Sequence, residues 1–245
     1  FATLQRGHTG DLAVICEPTS SALVTASAGA LTFRLTVPGR SVHASARTAG
    51  VDAVEKYLLV HTALRRLEAE RNTVVPRLLA DYDLPYPLSV GTVRAGDWPS
   101  SVPDQLIAEG RIGVALGEPV ELARAALEQR LATVCEADPW LREHPVQVEW
   151  FGGQFASAQV DPESAVARAV GSAHGRLHGA APRVHGVPYG SDQRLLTGLG
   201  GIPTVHYGPG TIRNAHCADE SVAVSELVDV TRTLVLLIAD VCGVR

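Results

Sequence analysis

The chain has 245 residues, 46% of them hydrophobic and 19% charged, which is a globular rather than a disordered composition and enough chain for one large domain or two small ones. Its 21 basic and 26 acidic residues give a net charge of −5 with no basic block, which argues against nucleic acid and anionic membrane as partners. The four cysteines, Cys16, Cys135, Cys217 and Cys242, show no CxxC spacing, so they encode neither a disulfide framework nor a zinc finger and point to a reducing compartment. The apolar run Leu234–Ala239 stops at Asp240, too short to span a bilayer. With no methionine and an opening Phe1-Ala2-Thr3-Leu4, the chain is expected to be a piece of something longer.

In chain order, Leu12–Cys16 is a short buried-strand pattern that ends at Glu17-Pro18-Thr19. Proline cannot continue a central ladder, so Glu17 stands at the carboxyl end of that strand, where α/β sheets place ligands. Leu31, Phe33, Leu35 and Val37 alternate with Thr32, Arg34 and Thr36, a half-buried strand. Val54, Leu58, His61, Leu64 and Leu67 then predict a long amphipathic helix between Asp52 and Asn72. Strands are predicted at Leu88–Val93 and Leu106–Ile112, a helix at Glu118–Val134 and a strand at Val146–Trp150. From about Gly29 to Gly152 the order is therefore β-α-β-β-α-β, the ferredoxin-like arrangement. Beyond it come a helix at Glu163–Leu177, a Gly-rich connection, a strand at Ile202–Tyr207 and a closing helix from Ser225 to Cys242, with Ser225 as its N-cap. The expected fold class is α/β: residues 1–28 and 151–245 form one discontinuous domain, interrupted by a smaller domain at 29–150.

The densest polar constellation is Gly208–Glu220, directly after the predicted strand. It reads either as a functional loop or as a surface loop leading into the last helix. Glu17 is either a solvated turn residue or a ligand. With His216 it would offer an oxygen and an imidazole suited to zinc, manganese or cobalt, but two donors are too few for a protein metal site. His43 reads, on its own, as a surface histidine in a Gly-Arg turn.

Four motifs occur in order: Cys16-Glu17-Pro18-Thr19, Pro38-Gly39-Arg40-Ser41-Val42-His43-Ala44-Ser45, Gly190-Ser191-Asp192-Gln193-Arg194, and Tyr207-Gly208-Pro209-Gly210…Ala215-His216…Asp219-Glu220. Together they resemble the M20 family of metal-dependent aminoacylases and peptidases, which includes acetylornithine deacetylase and succinyl-diaminopimelate desuccinylase. The resemblance implies a zinc-hydrolase-type α/β domain interrupted by a lid, or dimerisation, domain at 29–150. It implies a cytoplasmic homodimer paired through the lid, a small N-acyl substrate and two divalent metal ions, zinc first, with cobalt or manganese as alternatives. Glu17 would be a terminal ligand of one metal and His216 of the other. His43 would reach the neighbouring subunit's site and stabilise the oxyanion.

The departures from the family pattern are specific. The HxD motif, bridging Asp and Glu-Glu pair that complete the family's metal site have no counterpart, so the N-terminal half of the catalytic domain is expected to be missing. Where many members carry a substrate-binding Asn, this chain has Ser100; where they carry an Arg, it has Gly113, with Arg111 two residues earlier on the same face of the strand. Asp192, Arg194 and Gly210 are the further substrate-binding candidates, and Arg213 a further anion contact. The expected activity is metal-dependent hydrolysis of the amide bond of N-acyl amino acids or N-acyl amines, with this chain alone inactive. The alternatives are a catalytically incompetent dimerisation fragment and a dipeptidase or carboxypeptidase of the same family. An RNA-binding module ranks below these, because the lid strands offer Ser89, Thr92, Arg94 and Glu109 in place of stacking aromatics.

Overall fold

A computed structural model describes residues 1–215 and 217–243. In chain order the elements are α1 (Ala2–Gln5), β1 (Ala13–Ile15), β2 (Leu23–Ser27), β3 (Gly29–Pro38), α2 (Ala53–Arg71), β4 (Leu88–Ala95), β5 (Gln105–Val114), α3 (Val120–Ala137), α4 (Pro139–Glu143), β6 (Gln147–Phe155), β7 (Ala158–Gln159), α5 (Ala165–His178), β8 (Val184–Val187), β9 (Thr204–His206) and α6 (Val224–Cys242). They divide into two compact units. One holds Phe1–Ser27, Pro76–Asp81 and Ser157 onward; the other holds Ala28–Val75 and Tyr82–Ala156. Among the described residues no helix is long and apolar enough to cross a membrane.

The second unit is an antiparallel sheet in the order β4-β5-β3-β6 packed against α2 and α3. Its cause is visible in β3. Leu31, Phe33, Leu35 and Val37 are fully buried, while the residues between them are half-exposed. The buried face packs with Val60 and Leu64 of α2 and Leu127 and Leu131 of α3. Each such side chain contributes roughly 1.5–3 kcal/mol by leaving water. Gly110 on β5 keeps this close: a Cβ there would meet the Phe33 ring at 2.7 Å and collide with the Ser89 carbonyl. Asp52 caps α2 by accepting from Val54 N at 2.8 Å. Asn72 ends it, donating to Tyr86 O (3.0 Å) and accepting from Tyr86 N (2.8 Å), which ties the helix end to the chain entering β4.

The first unit is built on a mixed sheet in the order β1-β9-β2-β7, with β8 also paired to β2. β1 and β9 run parallel, Ile15 opposite His206. Helices α5 and α6 pack over Leu23, Val205 and Tyr207 through Val166, Val170, Val230 and Leu237. Tyr207 Oη joins both helices to the sheet, 2.7 Å from His174 Nδ1 and donating to Thr233 Oγ1 at 3.3 Å. The expected N-cap of the last helix is corrected here. Ala223 holds the cap position without a side-chain bond, and Ser225 lies inside the helix. The carboxylate of Glu226, in the first turn, is instead spent on Gly210 N at 2.6 Å, so no hydroxyl cap sets the start.

The Gly-rich connection carries β8 and a buried polar network that has no hydrophobic signature. Ser191 Oγ accepts from Gln193 N (3.2 Å) and donates to Ser27 Oγ (3.1 Å). Ser27 Oγ donates to Gln193 Oε1 (2.9 Å), and Gln193 Nε2 donates to Thr25 O (3.2 Å) and Thr204 O (2.7 Å). His206 is fully buried with Nε2 at 3.0 Å from Ser191 Oγ. Since the Ser191 proton is committed to Ser27, His206 Nε2 carries the donor hydrogen and Nδ1 is a bare lone pair. Among the described residues Nδ1 has no hydrogen-bond partner, so a second ring proton would sit buried and unpaired.

Burial accordingly pushes the His206 pKa from 6.5 down to about 4. Below pH 6.5 the unfolded chain binds a proton that the folded chain refuses, so stability should fall by about 3 kcal/mol as pH drops from 6.5 to 4 and level off below that. His206→Gln, which keeps a donor near the Nε2 position and cannot titrate, should flatten this part of the profile. Urea denaturation of both proteins between pH 7 and 4 measures it; parallel profiles would show that His206 is not the proton-refusing group.

Candidate functional site

The first and fourth sequence motifs meet in the first unit. β1 delivers Cys16-Glu17-Pro18-Thr19 and β9 delivers Tyr207-Gly208-Pro209-Gly210-Thr211, and Tyr207 N donates to Ile15 O at 3.0 Å. Thr19, 8% exposed, joins the two loops. Its hydroxyl accepts from Gly208 N at 3.0 Å and donates to Ala22 O at 2.8 Å. Ser21 N donates to Gly208 O (2.9 Å) and Ser20 N to Gly210 O (2.7 Å), and Thr19 faces Thr211 as an antiparallel bridge. The turn at Thr19–Ala22 closes through Ala22 N to Thr19 O at 3.0 Å, with Ser20 at φ 53 and Ser21 at φ 58. Two successive left-handed residues make the backbone of a tight primed turn, here without the usual Asn or Gly.

Gly208 is required by this contact, since a Cβ on it would collide with the carbonyl of Glu17. Glu17 is half-buried at the end of β1. Beside it a cleft of about 190 Å³ is lined by Pro18, Gly210, Thr211, Asn214, Glu220 and Val222, among others. Gly210 sits at φ 77 with its amide held by Glu226. His216, the second expected metal ligand, lies outside the described residues. Asp192, 72% exposed, pairs with Arg194 at 3.3 Å, and Arg194 also donates to Ser191 O at 2.9 Å. These two are not among the residues lining the cleft.

The second unit brings His43 and Ser100 together. Ala44 N donates to Ser100 O (2.8 Å), Val102 N donates to Val42 O (2.9 Å), and His43 pairs with Ser101 as an antiparallel bridge. His43 is exposed and caps the short 3-10 turn Ala44–Ala49. Arg111 is elsewhere. It faces Thr32 and Ser89 in the middle of β5, six residues along the strand from Gln105 and so about 20 Å from the end near Ser100. Burial pushes its guanidinium pKa down from the ordinary value.

Sequence reasoning quoted Gln193 only as part of the third motif and did not single out Ser27 or His206, its partners in the buried network, nor Glu226, which holds Gly210. The signal available for Glu226 is an acidic residue in the first turn of a helix, where the positive end of the dipole favours it. Among the described residues no group of three or more His, Cys, Asp or Glu is arranged to hold a metal ion. Glu17 and the Glu220 that lines the neighbouring cleft are oxygen donors there, and the described residues do not by themselves fit a complete metal centre.

Thr19→Val should leave Gly208 N buried without its acceptor and cost about 1–3 kcal/mol, whereas Thr19→Ser should retain most of the stability. Gly208→Ala should be at least as damaging, because the collision is with backbone. Urea denaturation of the three variants checks the order; a Thr19→Val protein as stable as wild type would contradict the role of the hydroxyl.

Comparison with known proteins shows what the chain is similar to. Residues 25–139 match the M20 peptidase dimerisation domain. The chain is 27% identical to N-formyl-4-amino-5-aminomethyl-2-methylpyrimidine deformylase of Halalkalibacterium halodurans, across 98% of this chain and 60% of that protein. It is 26% identical to acetylornithine deacetylase of Edwardsiella ictaluri, across 95% of this chain and 57% of that protein. Among solved structures it resembles aminopeptidase PepT of Bacillus cereus, with a TM-score of 0.70 and 19% identity over 98% of this chain and 59% of that one. A tripeptidase of Staphylococcus aureus gives a TM-score of 0.72 and 16% identity over 96% and 58%; these two likenesses establish the fold. The chain thus spans about 60% of the length of the two deformylases that it matches. Residues 25–139 thus carry an M20 peptidase dimerisation domain, and across nearly its whole length the chain is similar to a deformylase, an acetylornithine deacetylase and peptidases that share its fold.

Proposed function

We propose that this chain contributes to a metal-dependent hydrolase that cleaves the amide bond of small N-acyl amines or N-acyl amino acids. In this reading residues 29–150 are the lid and homodimerisation domain, and residues 1–28 and 151–245 are part of the catalytic domain. The observation that carries the reading is the joining of the Glu17 loop to the Gly208–Gly210 loop through Thr19, which sets a carboxylate beside the loop that leads to His216. The deformylase and deacetylase names of two relatives support the acyl-amine class.

Glu17 and His216 are proposed as ligands of separate divalent ions, zinc first and cobalt or manganese as alternatives, with the other donors supplied from beyond the described residues. Such ions, when bound, polarise a carbonyl and lower the pKa of water. The chain's own contribution to the reaction is donation and orientation. His43 donates a hydrogen bond to the oxygen on which negative charge develops, serving the site of the partner subunit. Ser100, whose carbonyl anchors the backbone next to His43, is proposed as a further substrate contact. Gly210, Asp192, Arg194 and Arg111 are proposed substrate contacts, Arg194 with part of its charge already offset by Asp192.

A second reading is a dimerisation fragment without chemistry, supported by the match of residues 25–139 to a dimerisation domain. On either reading the 245-residue chain, which carries no counterpart of the HxD motif or the Glu-Glu pair, should show no turnover of N-acetyl, N-formyl or N-succinyl amino acids with excess zinc, manganese or cobalt; substantial turnover would mean a base and metal site within these residues. In the complete protein that holds these residues, N-acyl substrates should be hydrolysed and His43→Ala should lower kcat by about 10²–10³ with KM little changed. Glu17→Ala should reduce the bound metal per subunit. Full activity in His43→Ala, or unchanged metal content in Glu17→Ala, would overturn the corresponding role. No hydrolysis by the complete protein would favour the second reading.

A further inference from the structure

We infer that Ser45 is a positioning residue that fixes the ring proton of His43 on Nε2, so that the exposed end of the ring is always a hydrogen-bond donor. The inference rests on the proposed role of His43 and deepens it. Two groups of Ser45 meet one nitrogen of the ring. The backbone amide of Ser45 donates to His43 Nδ1 at 3.2 Å, and the Ser45 hydroxyl lies 2.8 Å from the same atom. An amide N–H has no acceptor capacity, so Nδ1 must present its lone pair, and a neutral imidazole with a bare Nδ1 carries its hydrogen on Nε2. The hydroxyl is free to rotate and donates to the same lone pair.

The pivot of the ring is held as well. His43 O accepts from Ala46 N at 2.8 Å, the next residue's amide is bound to Ser100 O at 2.8 Å, and Val42 O is bound to Val102 N at 2.9 Å. With the backbone clamped on both sides and Nδ1 engaged locally, the exposed ring has Nε2–H as the group left for a ligand. An oxyanion requires a donor, and the opposite tautomer would turn a lone pair toward developing negative charge. Ser45 thus removes the need to reorganise the ring at the moment the charge forms, which is the way fixed dipoles contribute to a reaction.

The test uses the 245-residue chain labelled with ¹⁵N and needs no substrate. Long-range ¹H–¹⁵N spectra report which ring nitrogen of each histidine bears the proton, and His43→Gln identifies the His43 signals. Wild type and Ser45→Thr should show the Nε2–H form of His43. Ser45→Ala, which loses the hydroxyl but keeps the amide, should show a several-fold larger share of Nδ1–H, and Ser45→Pro, which loses both donors, a larger share still. If the proline variant does not fold, the alanine and threonine pair decides. An Nδ1–H ring in wild type, or a share of Nδ1–H in the alanine variant no larger than in wild type, would overturn the inference. The ring spectra are independent of hydrolysis, so their outcome is separate from that of the hydrolase reading, which the kinetics of His43→Ala decide.

Discussion

A single hydroxyl, that of Thr19, satisfies the backbone where two loops almost two hundred residues apart in sequence come into contact. A buried amide without a partner costs about as much as a lost hydrogen bond, and Gly208 N is such an amide once the loops meet. Thr19 accepts from it, while Ser20 and Ser21 supply donors to Gly210 O and Gly208 O. The consequence is geometric: β1 and β9 already run side by side, and these bonds carry their alignment past the strand ends into Glu17 and the Gly208–Gly210 turn. The absence of a side chain at Gly208 lets the two backbones approach. The Glu226 carboxylate then holds the far end of the turn, so the last helix is bound to the same constellation.

Behind these loops the sheet is held by polar groups as much as by apolar ones. The chain of donors from His206 through Ser191 and Ser27 to Gln193 has a single direction, fixed by the fact that each hydroxyl has one proton to give. A network of that kind is stabilising only when its members are satisfied, and His206 Nδ1, without a partner among the described residues, is tolerable because a bare nitrogen lone pair is cheaper to bury than a charge. His43 in the other unit follows the same logic at the surface: a local donor decides which nitrogen is the acceptor. In both places the tautomer of a histidine is set by a neighbour that can only donate or has already donated.

What could be read in the sequence is what burial writes as a period. β3 alternates because one face meets the helices, and α2 runs between Asp52 and Asn72 because its apolar residues recur every third or fourth position and both ends have capping side chains. β2 had no such signal. All five of its residues are buried, two of them Thr25 and Ser27, so neither alternation nor strong hydrophobicity marks it. The turn at Ser20-Ser21 was hidden for a related reason, since its left-handed backbone is usually announced by Asn or Gly. β8 is four residues long and half-exposed at its start. At the candidate site, the resemblance named the residues but not their neighbours. The closeness of His43 to Ser100 depends on a long-range bridge that no periodicity encodes, and the distance of Arg111 from both follows from strand register alone.

The central claim is that the Glu17 loop and the Gly208–Gly210 loop form one bonded structure continuous with β1 and β9. Native-state amide hydrogen exchange tests it most directly, because it reads each of the bonds concerned. The amides of Ser20, Ser21 and Gly208 should be protected to a similar degree as Tyr207, whose amide is bound to Ile15 O, and should open together with it in dilute denaturant. Exchange of Ser20, Ser21 and Gly208 at the rates of a free peptide, with Tyr207 still protected, would contradict the account.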